Sequence, residues 1–428
     1  MGYLKNIWKI KDLRQRILFV FFGLILFRLA AHIPVPFADM SALAQVFAQN
    51  QMLGVFSALT GGSMESFSIV MMGLAPYINA AIIMQLMTVV IPGLERMKNE
   101  EGEEGQKKIN SYTRWLTLPL AILQSYGMIA LMNMSAGTNV VNLGDLSVLI
   151  PVILSIAAGT VFLMWLGELM TEKGIGNGIS LIIFTGIVAA IPPIFGKIFG
   201  MAAIDSSKIL PFIIFLGVII LMLILVVIFS EAQRNISVTY ATAGGTATKG
   251  NLPIRINQAG MIPIIFAIAM ITFPTVIASF MQKSANETVQ SVSTWILANL
   301  SGSNPNFIYM GLYFLLIFAF TYFYVSVTFK PEKAAENIQK KGGFITGLRP
   351  GSQTSEYIEN VSTNLNFWGG GFLATVAVIP LIFVKYTDLT QSDLLITGSG
   401  LIIVVGVVLE LIRQVNARLV MNDYEAIK

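Results

Sequence analysis

The sequence predicts an all-α polytopic membrane protein with ten transmembrane helices. Of its 428 residues, 55% are hydrophobic and only 12% are charged, whereas soluble domains carry about 25% charged residues. Ten apolar stretches reach the roughly 20 residues that a helix needs to cross a hydrocarbon core of about 30 Å. Lysine and arginine are concentrated in alternate loops, as in proteins that thread a membrane repeatedly.

The ten predicted spans are separated by polar segments. They lie near residues 17–35, 67–91, 115–134, 148–169, 178–199, 209–230, 259–281, 306–329, 366–385 and 395–415. The first of them follows a basic stretch, but it is too long for a signal peptide and no small-residue cleavage site follows it. We therefore interpret it as a retained span.

The distribution of cations predicts the orientation. Of the 27 Lys and Arg residues, 22 lie on one side of the predicted topology, 4 lie on the other side, and Arg28 lies within the first span. Because cytoplasmic loops carry the excess of Lys and Arg, both termini are predicted to be cytoplasmic.

The predicted spans divide the chain into two halves. Residues 1–16 form an N-terminal arm, 17–199 the first five spans, 200–418 the last five, and 419–428 a C-terminal tail. The loops 231–257 and 330–363 are too long for simple helix connections, which usually take 2–8 residues. Long loops on one face suggest that a soluble partner docks there.

Composition excludes several kinds of chemistry. The chain has no cysteine and one histidine, His32, so we expect no thiolate metal site and no cofactor. Intramembrane charges mark the pathways of coupled transporters, and here they are scarce, Arg28 being the clearest. The pattern Gly-x-x-x-x-Gly-Lys-Ser/Thr is absent from the sequence, so energy for any transport must come from a partner.

Two spans contain matched Gly/Pro breaks. The second has Gly73 and Pro76, and the seventh has Gly260 and Pro263. Equivalent breaks in two halves indicate an internal repeat with a central path at its interface. Residues 52–66, before the second span, are moderately apolar but too short to cross, which suits an interfacial loop or a segment folded back into a cavity.

Four motifs occur in the order in which they occur in the SecY family. Residues 174–180 (GIGNGIS) resemble the signature at that family's fifth helix, and Pro76-Tyr77-Ile78, followed by Gln85 and Thr88, resembles its second helix. Asn257, Gly260 and Pro263 are similar to the start of its seventh helix, and residues 347–351 (GLRPG) to the tip of its last large cytoplasmic loop. The resemblance covers nearly the whole chain.

The resemblance implies a protein-conducting channel with an hourglass pore between two pseudo-symmetric five-helix halves. It implies side chains in three roles. The pore ring would consist of Leu74, Ile78, Ile179, Ile183, Ile265 and Ile403; the plug would lie near residues 53–65, with Leu53, Phe56, Ser57, Leu59, Gly61, Gly62 and Met64; and Gln85 and Asn257 would be polar residues of the lateral gate.

The resemblance also implies partners. These are the small membrane subunits SecE and SecG, the ATPase SecA, the ribosome, secretory precursor polypeptides and membrane lipid. Arg349, with Arg234 and Lys249, would bind the cytoplasmic partners. The loop that carries Arg234 has fewer consecutive basic residues than many relatives have, which weakens the expected contact with ribosomal RNA.

Two other functions remain open from the residues alone. A secondary transporter of a small solute would need mid-span charges and a substrate pocket, which the sequence does not clearly offer. An intramembrane protease would need a Ser–His pair or paired Asp residues within the spans. His32 lies at a span end, and no Asp lies mid-span.

Overall fold

The fold is a bundle of long helices with a small sheet at one end. The structure, a computed structural model, describes residues 8, 10–37, 63, 66–136, 140–204, 209–241, 247–282, 286–300, 306–386 and 398–426. In the first half the helices are α1 (Lys11–Ala30), α2 (Ala75–Val90), α3 (Pro92–Glu100), α4 (Gly102–Ala136), α5 (Leu146–Lys173) and α6 (Gly178–Ile204).

The second half contains helices and strands. The helices are α7 (Ile209–Glu231), α8 (Ile262–Met281), α9 (Glu287–Leu300), α10 (Phe307–Thr328), α11 (Pro331–Lys340), α12 (Ser352–Tyr386) and α13 (Gly398–Ala426). The strands are β1 (Gln233–Ala241), β2 (Ala247–Arg255) and β3 (Gly343–Ile345).

Each of the ten predicted spans coincides with one of these helices, namely α1, α2, α4 to α8, α10, α12 and α13. Within the described residues, five helices are long and apolar enough to cross a membrane, and the α2–α3 pair, bent by 96°, gives a sixth. Segments Gly178–Pro192 and Ile262–Thr272 are shorter apolar helices. Helix α7, with 23 residues, is about 34 Å long, enough to cross a bilayer core.

Several helices begin or end outside the predicted spans. The second helix begins at Ala75 rather than near 67, because residues 66–74 form successive turns. Helices α4, α12 and α13 extend beyond their apolar stretches, and α1 begins at Lys11, within the predicted arm. Hydropathy detects only the apolar part of a helix. Polar turns that continue the same helix into water are therefore not detected.

Beside its helices, the described part of the chain contains one small sheet. Strands β1, β2 and β3 form a three-stranded antiparallel sheet in the order β2-β1-β3. Residues 236–240 alternate apolar and polar side chains, the pattern of a strand with one buried face. Ile236 and Val238 are accordingly buried and pack beneath the sheet.

The sheet belongs to a compact unit that we call the platform, comprising β1 to β3, α11 and the first turns of α12. Its core contains Ile236, Val238, Ile254, Ala335, Ile338, Ile345, Ile358 and Val361. Because β1 pairs with both β2 and β3, the two long loops predicted from the sequence form a single structure.

Contacts between helices join the two halves on two sides of the bundle. Helix α8 contacts α2 and α4 on one side, and α13 contacts α6 on the other. The second half has its own apolar core, built mainly from α7, α8, α10, α12 and α13, which includes Phe215, Ile264, Ile317 and Leu373. The interface between the halves is thus made by a few helices, while the remaining helices hold each half together.

Candidate pore constriction, gate and docking platform

The six side chains predicted to form the pore ring pack in one apolar cluster. Leu74 and Ile403 are buried within it, and Ile78, Ile179, Ile183 and Ile265 are half-buried against it. The cluster, which we call the inter-half cluster, includes residues of α1, α5 and α6 from the first half and of α8 and α13 from the second. It therefore lies where the two halves meet.

Matched helix starts bring two of these helices to the cluster. Gly73 and Gly260 both have positive φ, +54° and +65°, a region that L side chains rarely adopt. In each case a helix begins two residues later, with Pro76 or Pro263 in its first turn, where a missing N–H costs nothing. The breaks predicted inside the second and seventh spans are therefore helix starts, and they are equivalent in the two halves.

A side-chain cap sets the start of α6, which carries Ile179 and Ile183. The Asn177 Oδ1 accepts hydrogen bonds from the backbone N–H groups of Ile179, at 3.0 Å, and Ser180, at 3.2 Å. Gly176 has φ +82°, and its N–H donates to Gln414 Oε1 of α13 at 2.8 Å. The GIGNGIS motif thus caps α6 and joins it to the second half.

Glycines allow helices around the cluster to approach closely. A Cβ at Gly178 would lie 2.1 Å from the Gly167 carbonyl oxygen, and a Cβ at Gly159 would lie 1.9 Å from the Ile69 carbonyl oxygen. Neither approach is possible for a residue with a side chain. The packing of α5 on α6 and on the turns before α2 therefore depends on these glycines.

The two predicted gate residues lie at the α8 side of the interface, one on a helix and one in the turn before a helix. Gln85 lies on α2 and is half-buried. Asn257 precedes α8, and its Oδ1 accepts a hydrogen bond from the Gly260 N–H at 2.9 Å. The structure thus brings α2 and α8 together and gives Asn257 a local role in shaping the turn into α8.

All seven residues predicted for the plug, from Leu53 to Met64, lie outside the described residues. The chain that follows them is attached to the end of α1. Ser66 Oγ donates to the Ala31 carbonyl oxygen at 2.9 Å, and the Ile69 N–H donates to the Ile33 carbonyl oxygen at 2.9 Å. The entry to α2 is therefore held in place from the side of α1.

The three cations predicted to bind partners lie on the platform. Arg234 and Lys249 are exposed on β1 and β2, and Arg349 is exposed in the turn between β3 and α12. Within the described residues the Arg349 side chain has no ion-pair partner, but its backbone is fixed. Its N–H donates to Gln353 Oε1 at 3.2 Å, and its carbonyl oxygen accepts from Thr354 Oγ1 at 3.0 Å. The turn thus presents a free guanidinium on a rigid support.

Several polar contacts between the halves were not predicted, among them those of Gln414 with Gly176 and of Lys330 with Asn99. Gln414 lies on the face of α13 that carries Ile403, and a polar residue in that apolar stripe is a sequence signal that could have been noticed. Lys330 Nζ donates to Asn99 Oδ1 at 2.5 Å, joining the end of α10 to α3. Burial, and then the nearby Lys330 ammonium, lower the pKa of Lys98. No local sequence pattern predicts the contact between Lys330 and Asn99.

The histidine does not form a catalytic pair with serine in the described part of the chain. His32 Nδ1 lies 2.8 Å from the Arg28 carbonyl oxygen, one turn earlier in the chain. The ring nitrogen donates there, since a carbonyl oxygen only accepts. Among the described residues there is also no group of three or more His, Asp or Glu side chains placed to hold a metal ion.

Comparison with known proteins decides the family. The family model described as SecY matches residues 68–412. The protein translocase subunit SecY of Bacillus subtilis (strain 168) is 39% identical, over 98% of this chain and 98% of the relative. That of Thermotoga maritima is 38% identical, over 98% and 96%.

The chain belongs to the SecY family. Solved structures agree on the fold: a protein-conducting channel has a TM-score of 0.66 at 16% identity, and a SecY structure from work on its plug domain has 0.68 at 18%. Both alignments cover 94% of this chain and 92% of the other. The Sec61 channel from a canine ribosome–channel complex has a TM-score of 0.65 at 16% identity. The SecY resemblance of the four motifs is therefore confirmed, and with it the fold of ten helices in two halves.

Proposed function

We propose that this chain is the pore subunit of a protein translocase in the cell membrane. It passes unfolded secretory polypeptides across the membrane and releases hydrophobic segments sideways into lipid, and both of its termini are cytoplasmic. One observation carries the proposal: the six aliphatic residues expected at the pore ring pack in one cluster at the meeting point of the halves. If these six residues instead faced lipid or belonged to unrelated cores, they would not be expected to pack together at this interface.

An aliphatic ring suits the transport of chains of any sequence. A narrow apolar constriction excludes water, and therefore ions. Leucine and isoleucine side chains have no polar groups with which to bind a passing segment. Such a ring limits ion leakage while leaving the polypeptide free to move.

The lateral opening would lie where α8 meets α2 and α4. This contact has no long polar seam: within the described residues Gln85 donates no side-chain hydrogen bond, and Asn257 bonds its own turn. A segment that reaches the opening can partition into lipid. Leu, Ile, Phe and Val favour lipid by about 0.3–0.6 kcal/mol each, and Asp, Lys and Arg cost about 2.5–3.5 kcal/mol at a helix centre.

The platform is the proposed docking surface for the partner that supplies energy. The relatives are named as subunits of a protein translocase, and Sec61 and Ssh1 channels of this fold were solved in complexes with ribosomes. By this kinship we propose SecE and SecG as membrane partners, and SecA and the ribosome as partners of the platform. The planar, permanently charged guanidinium of Arg349 suits carboxylate or phosphate groups.

Site-specific crosslinking to a trapped precursor tests the pore. Photoreactive residues at the six ring positions should label a precursor arrested during export by the reconstituted translocase. The same probe at Ile150, Ile214 or Ile224, which are about half exposed on the outside of the bundle, should label lipid instead. Labelling of the precursor from the control positions but not from the ring would contradict the proposal.

Ion conductance tests the seal independently. Replacing Ile78, Ile179 and Ile183 together with serine should admit water and raise the conductance of planar bilayers, because hydroxyl groups remove the apolar barrier. The matched control is the triple serine variant of the three outward isoleucines. Background conductance in the ring variant, with normal export, would show that the ring residues do not form the seal.

A further inference from the structure

A buried polar cluster lies between α12 and the segment that leads into α8. Ser362 Oγ of α12 donates to Gln258 Oε1 at 3.1 Å. Gln258 Nε2 and Asn366 Oδ1 are buried and have no hydrogen-bond partner among the described residues. Buried polar atoms in native proteins are nearly always paired, so two such atoms in one small region need an explanation.

One face of α12 carries the whole contact. Ser362, Asn366 and Gly369 are four and three residues apart, which places them on the same side of the helix. Ser362 touches Gln258, and a Cβ at Gly369 would lie only 2.7 Å from the Ile256 carbonyl oxygen. Asn366 lies between these two contacts, so it faces the segment 256–258.

The segment 256–258 is short, and it is connected at one end to the platform and at the other end to α8. The Ile256 N–H donates to the Ala232 carbonyl oxygen at 3.0 Å, next to the platform strands. Asn257 and Gly260 form the turn from which α8 begins. If residues 256–258 shift relative to α12, the position of α8 therefore changes.

Helix α12 connects the platform to the membrane-spanning bundle. Ile358 and Val361 belong to the platform core, whereas Leu373 and Ala374, three turns later, belong to the core of the second half. Ser362 and Asn366 lie between these two groups on one continuous helix. The polar cluster is thus at the point where a movement of the platform would reach α8.

We propose that Gln258, Ser362 and Asn366 are positioning residues that set how readily α8 moves away from α2 and α4. The inference rests on the proposed function, since it assumes that this movement opens the lateral gate. An unpaired buried polar atom raises the free energy of the conformation that contains it. The two unpaired atoms therefore weaken the conformation seen here, in which α8 contacts α2 and α4, and favour its exchange for one in which they find partners.

The inference predicts opposite effects from two substitutions in the same cluster. Asn366→Leu replaces the unpaired acceptor with an apolar side chain of the same heavy-atom count and branching, so the closed contact becomes more stable and gate opening less frequent. Ser362→Ala removes the hydroxyl that donates to Gln258 Oε1, leaving that acceptor without this partner, so opening becomes more frequent. A purely structural role would make both variants impair export.

The experiment compares export by translocase reconstituted in proteoliposomes with the full-length chain. Two precursors are used, one with a normal signal sequence and one with a weakened, less hydrophobic signal sequence. For the weakened precursor we expect about a threefold to tenfold increase with Ser362→Ala and a decrease of similar size with Asn366→Leu. Asn364→Leu and Thr363→Ala, at exposed positions of the same helix, are the matched controls and should leave export unchanged.

The outcomes separate this inference from the proposed function. If wild-type translocase does not export the normal precursor, the proposed function fails. If it does, but both cluster variants shift export in the same direction or match their controls, the positioning role is wrong. Disulfide trapping between cysteines placed on α2 and α8 provides a second readout. Trapping should become faster with Asn366→Leu and slower with Ser362→Ala, and the reverse order would overturn the inference.

Discussion

Gly159→Ala tests whether the close approach of α5 to the turns before α2 is required. The added Cβ would lie 1.9 Å from the Ile69 carbonyl oxygen and 3.2 Å from the Val70 nitrogen. Ordinary contact begins at 3.4 Å, so the two backbones would have to separate by about 1.5 Å. The Ile69 N–H is bonded to the Ile33 carbonyl oxygen, so the segment is not free to withdraw.

The expected cost can be worked out from two opposing effects. Overpacking in a tight core typically costs about 1–3 kcal/mol. Replacing glycine by alanine inside a helix returns about 1 kcal/mol. Because the clash at Gly159 is with backbone atoms, which cannot rotate away, the upper part of the overpacking range applies, and we expect a net loss of roughly 1–2 kcal/mol. Because Leu74 follows this segment and belongs to the inter-half cluster, the displacement should also disturb the proposed ring and raise the ion conductance.

The assay is thermal unfolding of the purified protein in detergent. Unfolding is monitored by the loss of the monodisperse chromatographic peak. Gly311→Ala is the control, because nothing lies within 4 Å of a Cβ at Gly311 on α10. We expect Gly159→Ala to unfold about 1–2 °C below wild type and Gly311→Ala to match or exceed wild type. Equal unfolding temperatures for the two variants would refute the packing argument.

Two further predictions concern the platform and the α6 cap. Arg349→Glu should reduce precursor export more than tenfold without lowering the unfolding temperature, because the side chain is exposed and has no described ion-pair partner; Lys341→Glu, exposed two residues before β3, should export normally. Normal export by Arg349→Glu would remove Arg349 from the docking surface. Asn177→Ala removes two capping hydrogen bonds and should cost about 0.5–2 kcal/mol of stability in thermal unfolding, with Asn177→Ser restoring most of it. An alanine variant as stable as wild type would contradict the capping role.

The membrane-spanning helices were predictable because their signal is local. A span needs a run of apolar residues whatever its neighbours are, and all ten predicted runs coincide with helices. The helix ends were less predictable. Helix α12 begins at Ser352, well before its apolar stretch, because polar turns there pack on the platform through Ile358 and Val361.

The ring residues could not be found from the residues alone. An isoleucine in an apolar helix has the same local pattern whether it faces lipid, a core or a pore. Only the resemblance to the SecY family singled out the six positions, and only the structure shows that they share a cluster. Their role as a seal remains a prediction.

Contacts between distant parts of the chain were beyond sequence reasoning. Val238 pairs with Ile345 although more than a hundred residues separate them, and Lys330 meets Asn99 across the two halves. Each partner has an ordinary local sequence. Only folding determines which strands and side chains become neighbours.

By itself, the sequence determined that the chain is a membrane protein and how many helices cross the bilayer, and it marked two Gly/Pro breaks that the structure shows to be helix starts. These properties follow from apolar length and from the backbone preferences of glycine, proline and asparagine, which act within a few residues. The tertiary structure decided that two separate loops make one platform, and that six aliphatic residues from four helices meet between the halves. Those arrangements depend on burying apolar surface and pairing polar groups over the whole chain, so no short segment contains them.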